Sequence, residues 1–449
     1  MASQADSLRQ LDQQFHLHPF TNHADMHQQG TQLVTKADGI YVTDAEGRKL
    51  LDGLAGLWCV NVGYGREEIV DAVCAQMRTL AFYPSFFNST TEPAVRLAAR
   101  LAQLAPARLN HTIFSGSGSE SNETALKIIR NYWKLRGQPG RTKILTREYA
   151  YHGVTLATTS MTGLPSCYAS FDLPLPGFFH APAPHPYVDA ERGHTMDPES
   201  YGRLCIEQTA ALIEREGPDT IAAFFAEPVQ GAGGVIVPPH GYLHALRALC
   251  REHGILFVAD EVITGFGRIG AWFASSLWEL DPDIMNLAKG LTSGYVPLGA
   301  TMVSDEIADV LIHGGAFAHG FTYSGHPVSC AAALANIDII EREDLVGKVL
   351  HDAGPYFQLK LQALAAHHFV GEVRGTGLIG ALEIIPHEGK SALTPTSMLG
   401  IKAAALIRNE GSIVRGIRDL IAIAPPLTIS HAEIDELFGS IERGLNLLH

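Results

Sequence analysis

The sequence predicts an α/β fold: a large domain built on a mostly parallel sheet, joined to a smaller α+β domain. Three observations carry this prediction. Between residues 66 and 325, short apolar runs alternate with helix-patterned stretches, the order expected of strand–helix–strand units in a parallel sheet. Beyond residue 325 a long helical pattern gives way to short glycine-broken strand patterns and a last helix. A chain of 449 residues with 46% hydrophobic side chains can also bury a large core divided between domains.

Residues 1–65 read as an N-terminal arm that packs with the small domain. Its first forty residues are polar, and GIYVTDAEGRKLLDG then has the period and turn signals of a hairpin. Residues 66–325 form the large domain, with EEIVDAVCAQMRTLA as a helix and TKILT, IAAFFAEP, GILFVADEV, DIMNLAKG and GATMVS as strands. Residues 326–449 form the small domain, from CAAALANIDIIEREDLVGKVL through VRGTGLIGALEII and IVRGIRDLIAIAPP to the final helix. No internal repeat or low-complexity linker separates these parts, so they are expected to share an interface.

Composition excludes several functions. A net charge of −14 with no basic cluster argues against nucleic acid or anionic lipid as a partner. No apolar run reaches the ~18 residues of a membrane span, and MASQADSLRQLDQQF has no signal-like apolar core, so a cytoplasmic location is expected. The six cysteines lie far apart without CxxC spacing, as reduced packing residues would. The 21 histidines contain no HExxH, which disfavours a metal hydrolase.

Three motifs point to chemistry. In FVADEVITGFGR, Asp260 ends an apolar strand, where ligands gather in open parallel sheets. Desolvating its carboxylate is costly without a cation or strong donors. Taken alone, it reads equally well as a salt-bridge partner or a helix cap. In DIMNLAKGLTSGYVPLGA, Lys289 is the single charge between Asp283 and Asp305. Burial there would depress its pKa and make it an amine nucleophile, although a snorkelling lysine is the commoner situation. One strand–helix–strand unit separates it from Asp260, enough to bring both to the same sheet edge.

In FSGSGSESNETALKIIRNYW, alternating glycine and serine open an amphipathic helix, and bare N–H groups at such a start suit a phosphate. A helix cap without ligand is the plainer alternative. This is not a Walker A loop, and a dinucleotide fingerprint fails at Ser121 and Gln138. A phosphate cradle, an amine nucleophile and a carboxylate able to pair with a pyridinium nitrogen are together the parts needed to hold pyridoxal 5′-phosphate (PLP).

These motifs resemble, over nearly the whole chain, the fold-type I PLP enzymes of aminotransferase class III, and among them the ω-amino acid, diamine and amine:pyruvate transaminases. The similarity runs through HLHPFTN, GLAGLWCVNVGYGR, SGSGSESNETALK, YHG, AEPVQGAGGVIVPP, VADEVITGFGR, AKGLTSGYVPLGA, HGFTYSGHPV and a late IVRG…APP. It implies a seven-stranded sheet in the large domain. It also implies that Lys289 forms a Schiff base with the cofactor and moves the substrate proton, and that Asp260 pairs with the ring nitrogen. Ser117, Gly118 and Ser119 match the phosphate loop, and Thr322 matches a residue reaching the phosphate of a neighbouring subunit. Tyr151 and Val262 would cover the two faces of the ring, with His152 and Glu227 also among the cofactor-binding residues.

For the substrate, the resemblance implies an aromatic wall of Phe20, Trp58 and Phe86, the last from the partner chain, alongside Tyr151. Arg415 matches a mobile arginine that binds an α-carboxylate. The implied activity is transfer of an amino group from an ω-amino acid, diamine or primary amine to the keto acid pyruvate, giving L-alanine by ping-pong kinetics in a homodimer or a tetramer. A class III aminomutase, decarboxylase or racemase, or a non-catalytic binding protein of the same fold, is the alternative. Ala150 and Ile263 depart from residues common in the family, glycine and glutamine respectively, and leave substrate preference open.

Overall fold

A central seven-stranded sheet positions everything that bears on function. In the computed structural model, residues 4–189, 196–386 and 397–448 are described. Strands β1 (Val34–Asp38), β2 (Tyr41–Asp44) and β3 (Lys49–Asp52) follow an N-terminal helix, Gln4–Phe15. The central sheet takes β4 (Leu109–Ser115), β5 (Lys143–Arg147), β6 (Phe178–Ala181), β7 (Ile221–Ala226), β8 (Leu256–Asp260), β9 (Ile284–Leu287) and β10 (Gly299–Ser304). Their spatial order is β4-β10-β9-β8-β7-β5-β6. The remaining strands are β11 (Val370–Thr376), β12 (Ile379–Ile384), β13 (Ser412–Ile413), β14 (Arg415–Ile417) and β15 (Leu420–Ile423). Four of them make a second sheet, β11-β12-β15-β14, while β13 pairs in parallel with β3.

Every apolar run read as a strand in the large domain is one. Strands β7, β8, β9 and β10 are buried at every position, as a sheet covered on both faces requires. Phe224, Phe225 and Phe257 are among the largest fully buried side chains, and each such ring contributes ~1.5–3 kcal/mol of burial. Pairing is parallel from β6 through β9, and β10 alone runs against both its neighbours, β9 and β4. Four-residue β6, FFHA, escapes sequence reading because it is too short to display a period.

The helix Gly118–Leu135 packs across this sheet through Ala125, Ile128, Ile129 and Tyr132. Its start is fixed locally: Ser117 Oγ accepts from the Glu120 N–H, and the Glu120 carboxylate reaches back to the Gly116 N–H at 2.6 Å. The expected hairpin is present as β2 and β3, with Tyr41 opposite Leu51.

The loop after β8 explains the rest of the DEVITGFGR motif. Glu261 is fully buried, and its carboxylate accepts from Thr264 and from the N–H groups of Ala274 and Ser275, fastening the loop to the following turn. Arg268, also fully buried, donates to the Leu378 and Pro425 carbonyls and to Asn61 Oδ1. One guanidinium therefore ties the loop to the N-terminal segment and to two segments of the C-terminal third. Burial lowers its pKa to about 10.

Candidate active site

Strand direction brings the three sequence motifs to one edge of the sheet. β8 and β9 are parallel, with Asp260 opposite Asn286, so Lys289 follows three residues past that register on the same side. Because β10 opposes both β4 and β9, β4 also points toward this edge, and the Gly118–Leu135 helix begins there. A single cavity is lined by Gly118, Ser119, Asn122, Tyr151, His152, Glu227, Asp260, Val262, Ile263 and Lys289, together with Gly153 and Ala288.

Asp260 is 4% exposed, and three donors hold it. Oδ2 accepts from Asn122 Nδ2 and pairs with His152 Nδ1, both at 2.8 Å, while Oδ1 accepts only from the Val262 N–H at 3.2 Å. With Oδ2 committed, Oδ1 is the oxygen with capacity left for a ligand donor. The His152 ring is fixed in turn, and its Nε2 is buried without a partner among the described residues.

Lys289 takes a left-handed backbone conformation, φ 46°, where the chain leaves β9. Strain of this kind in a non-glycine residue persists only when its surroundings impose it, and it concentrates at functional sites. Burial lowers the Lys289 pKa, opposed chiefly by the negative charge of Asp260. The lone-charge pattern of the sequence thus corresponds to an amine facing a polar cavity.

Gly118 and Ser119 occupy the first turn of the helix, with Ser117 as its N-cap. A side chain at Gly118 would press on Val262, since a Cβ there lies 3.1 Å from Val262 Cγ1, so bare backbone faces the cavity. Glu227, buried and raised in pKa by that burial, accepts from the N–H groups of Tyr151 and Gly231. Glu227 therefore sets the backbone that carries Tyr151. Burial pushes the Tyr151 phenol up to about 12, with Cys167 also raising it and Arg415 opposing.

Trp58 is buried, and the Arg415 guanidinium lies over its ring at 5.5 Å. Arg415 has no carboxylate within ion-pairing distance among the described residues, and its Nε is buried without a partner, as is Trp58 Nε1. An unneutralised guanidinium near Tyr151 is chemically matched to a carboxylate. The remaining expected residues lie apart from the cavity of their own chain. Phe20 is 73% exposed, Thr322 is exposed, and Phe86 lines a separate groove with His319 and Gly320.

Two residues were not anticipated from the sequence. Asn122 clamps Asp260, and Asn286 donates to Asn122 Oδ1 at 2.8 Å. A lone amide inside the apolar strand IMNL was the available signal for Asn286.

The residues present fit PLP. The cavity unites bare N–H groups at a helix start for an anion, an amine of lowered pKa, and a fixed carboxylate with one oxygen that holds a single hydrogen bond. Residues 23–445 match the family model described as aminotransferase class-III. The chain is 45% identical over 427 residues to a putrescine–pyruvate aminotransferase of Pseudomonas aeruginosa, covering 95% of this chain and 93% of the relative. Among solved structures it superposes on a thermostable (S)-enantioselective ω-transaminase from Thermomicrobium roseum with a TM-score of 0.95, at 46% identity and 99% coverage of both chains. It also superposes on the ω-transaminase of Pseudomonas jessenii in complex with PMP, with a TM-score of 0.93, 38% identity, and coverage of 98% and 97%.

Proposed function

The chain belongs to the class-III aminotransferases, which depend on PLP, and from that premise we propose that it moves an amino group from a primary amine, ω-amino acid or diamine to pyruvate, releasing L-alanine. One observation carries the reading: an amine of lowered pKa and a carboxylate whose Oδ1 holds a single hydrogen bond share a cavity with the start of a long helix.

PLP, when bound, supplies an aldehyde that captures amines and a protonated ring that draws electron density from the carbon losing its proton. The N–H groups of Gly118 and Ser119, with Ser117 beside them, would hold the phosphate. Asp260 would keep a proton on the ring nitrogen, its carboxylate held against rotation by Asn122 and His152. Lys289 Nζ takes the proton from the amine-bearing carbon of the donor and returns it to the keto carbon of the acceptor. Tyr151 and Val262, which line the cavity, would confine the ring. Glu227 serves as a positioning residue through the Tyr151 backbone.

Arg415 receives the carboxylate of the keto acid. A cation without an acid partner, resting on Trp58, has little to give up when an anion arrives and can withdraw when an uncharged amine occupies the same space. One pocket then serves both half-reactions, and ping-pong kinetics follow.

The functional unit in this reading is a homodimer. Phe86 and Thr322 match residues that serve a neighbouring subunit, and they lie outside the cavity of their own chain. Around them Phe82, Tyr83, Phe87 and Tyr323 expose apolar surface, Phe87 at 93%, more than an isolated chain ordinarily leaves open.

The deciding experiment incubates the PLP-loaded enzyme with pyruvate and a panel of putrescine, β-alanine, longer ω-amino acids, taurine and 1-phenylethylamine, and measures alanine. Alanine release that disappears in Lys289→Ala supports the reading. Full turnover by Lys289→Ala, or pyruvate unchanged with every donor, refutes it.

A further inference from the structure

Outside the cavity, the cluster with the most complete chemistry sits where the N-terminal helix ends. Asp12 lies in the last turn of Gln4–Phe15, and His16 and His18 follow it. His16 Nδ1 is 3.1 Å and His18 Nε2 is 2.9 Å from the same oxygen, Asp12 Oδ1. The ligand-type atoms of all three residues lie within 4.8 Å of one another. In a tetrahedral zinc site with bonds of ~2.0–2.1 Å, neighbouring ligand atoms are ~3.3 Å apart, so these spacings need little adjustment.

The support around the cluster is also of the kind a metal site requires. The Asp12 side chain is 13% exposed, and its second oxygen, Oδ2, accepts from Thr31 Oγ1 at 2.5 Å. That bond anchors the carboxylate from a separate segment, with Oδ1 shared by the two rings and His18 Nε2 also 3.0 Å from Oδ2. His18 is itself tied down, its backbone N–H donating to His23 Nε2 at 3.0 Å. The His16 side chain is 64% exposed, which keeps one side of the cluster open to water as a fourth ligand.

We propose that Asp12, His16 and His18 form a binding site for a divalent transition-metal ion of the zinc class, with water completing the coordination. Two imidazoles and one carboxylate favour zinc, nickel or copper over magnesium or calcium, which prefer all-oxygen sets. The ion would take the lone pairs of His16 Nδ1 and His18 Nε2 and one oxygen of Asp12, with each neutral ring keeping its proton on the opposite nitrogen. A bound ion cross-links the helix end to the turn that carries Phe20. The second His-and-carboxylate cluster, His185 with Glu372 and Glu383, is different in kind, because the Arg374 guanidinium already occupies it, donating to both glutamates at 2.6 Å.

The test is calorimetric titration of zinc chloride into the tag-free, PLP-loaded full chain. The expected result is one ion per chain, with affinity falling more than tenfold in His16→Gln and in Asp12→Asn, ~10–100-fold in Thr31→Val, and not at all in His185→Gln. His16 is solvent-facing, so His16→Gln leaves the fold intact and reports on the ligand alone. No saturable binding at one ion per chain, or an affinity unchanged in both His16→Gln and Asp12→Asn, overturns the proposal.

Discussion

Asn122 Nδ2 lies 2.8 Å from Asp260 Oδ2, and the same side chain accepts from Asn286 Nδ2 through its carbonyl oxygen, again at 2.8 Å. The two amides form a buried relay from β9 to the carboxylate, and the relay helps His152 to engage Oδ2. Asn122→Ala removes one donor from the carboxylate and leaves a buried Asn286 amide unpaired, at ~1–3 kcal/mol for each group lost. Turnover is expected to fall about ten- to a hundredfold. Asn286→Leu, whose side-chain hydrogen bond reaches Asp260 only by way of Asn122, should cost less. Single-turnover rates for the first half-reaction check the order; equal losses in the two variants would show that the relay does not act through Asp260.

Lys289 makes the apo chain pH-sensitive in a definite direction. Burial lowers its folded pKa below the ordinary 10.5, so the unfolded chain binds this proton more readily than the folded one. Stability associated with the group is present above 10.5 and is lost as pH falls toward the folded pKa. Lys289→Met has no proton to bind, so apo Lys289→Met should be more stable than the parent near neutrality, with the gap closing as pH rises to about 10.5. Denaturant unfolding of both apo proteins across that range tests this. A gap that stays constant with pH would mean that Lys289 is not desolvated.

Legibility from the sequence followed the range of the interactions. Asp260, Lys289 and the glycine–serine loop were visible because each breaks a local pattern: a charge at a strand end, a charge alone in an apolar run, or bare backbone at a helix start. Strand alternation then sufficed to place them on one edge. Asn122 and Asn286 were not singled out, because nothing local distinguishes a clamp from an ordinary polar residue; their role exists only through contacts 138 and 164 residues away in the chain. The same holds for Arg268, which the motif included but whose carbonyl partners at 378 and 425 have no sequence signature. Phe20, Phe86 and Thr322 mark a different boundary, since a single chain does not bring them to its own cavity.

Arg268 is expected to govern stability. Arg268→Met would leave the Leu378 and Pro425 carbonyls and Asn61 Oδ1 without their donor in a dry interior. At ~1–3 kcal/mol for each unsatisfied group, a loss of several kcal/mol is expected, less than the simple sum because the three share one side chain. Arg268→Lys should recover only part of it, because an ammonium cannot reproduce the planar fork. Thermal unfolding of the two variants gives the ranking, and a melting temperature for Arg268→Met equal to the parent's would contradict it.

Gly153 separates Tyr151 and His152 from the helix start. Its φ of 133° suits glycine alone, and a Cβ there would sit 2.6 Å from Ser119 Oγ and 2.9 Å from Ser119 Cα. Thr158 Oγ1 would lie 2.7 Å away as well, so Gly153→Ala is expected to shift this turn against Ser119 and Thr158. Cofactor affinity, followed by absorbance titration of the apo enzyme with PLP, is expected to weaken by at least about tenfold, with the secondary structure unchanged. Unaltered affinity would remove Ser119 from the phosphate-binding set.

Arg415 separates the two half-reactions. Its guanidinium has no carboxylate partner among the described residues, burial lowers its pKa, and Trp58 supports it from one face. A hydrogen-bonded ion pair with a keto acid is worth ~1.5–3 kcal/mol, so Arg415→Ala should raise KM for pyruvate about ten- to a hundredfold. A simple amine donor carries no carboxylate and loses nothing comparable. Arg415→Lys keeps the charge but not the fork, and an intermediate KM is expected. Equal losses for pyruvate and for 1-phenylethylamine would show that Arg415 supports the shape of the pocket through Trp58 and does not read the acceptor's charge.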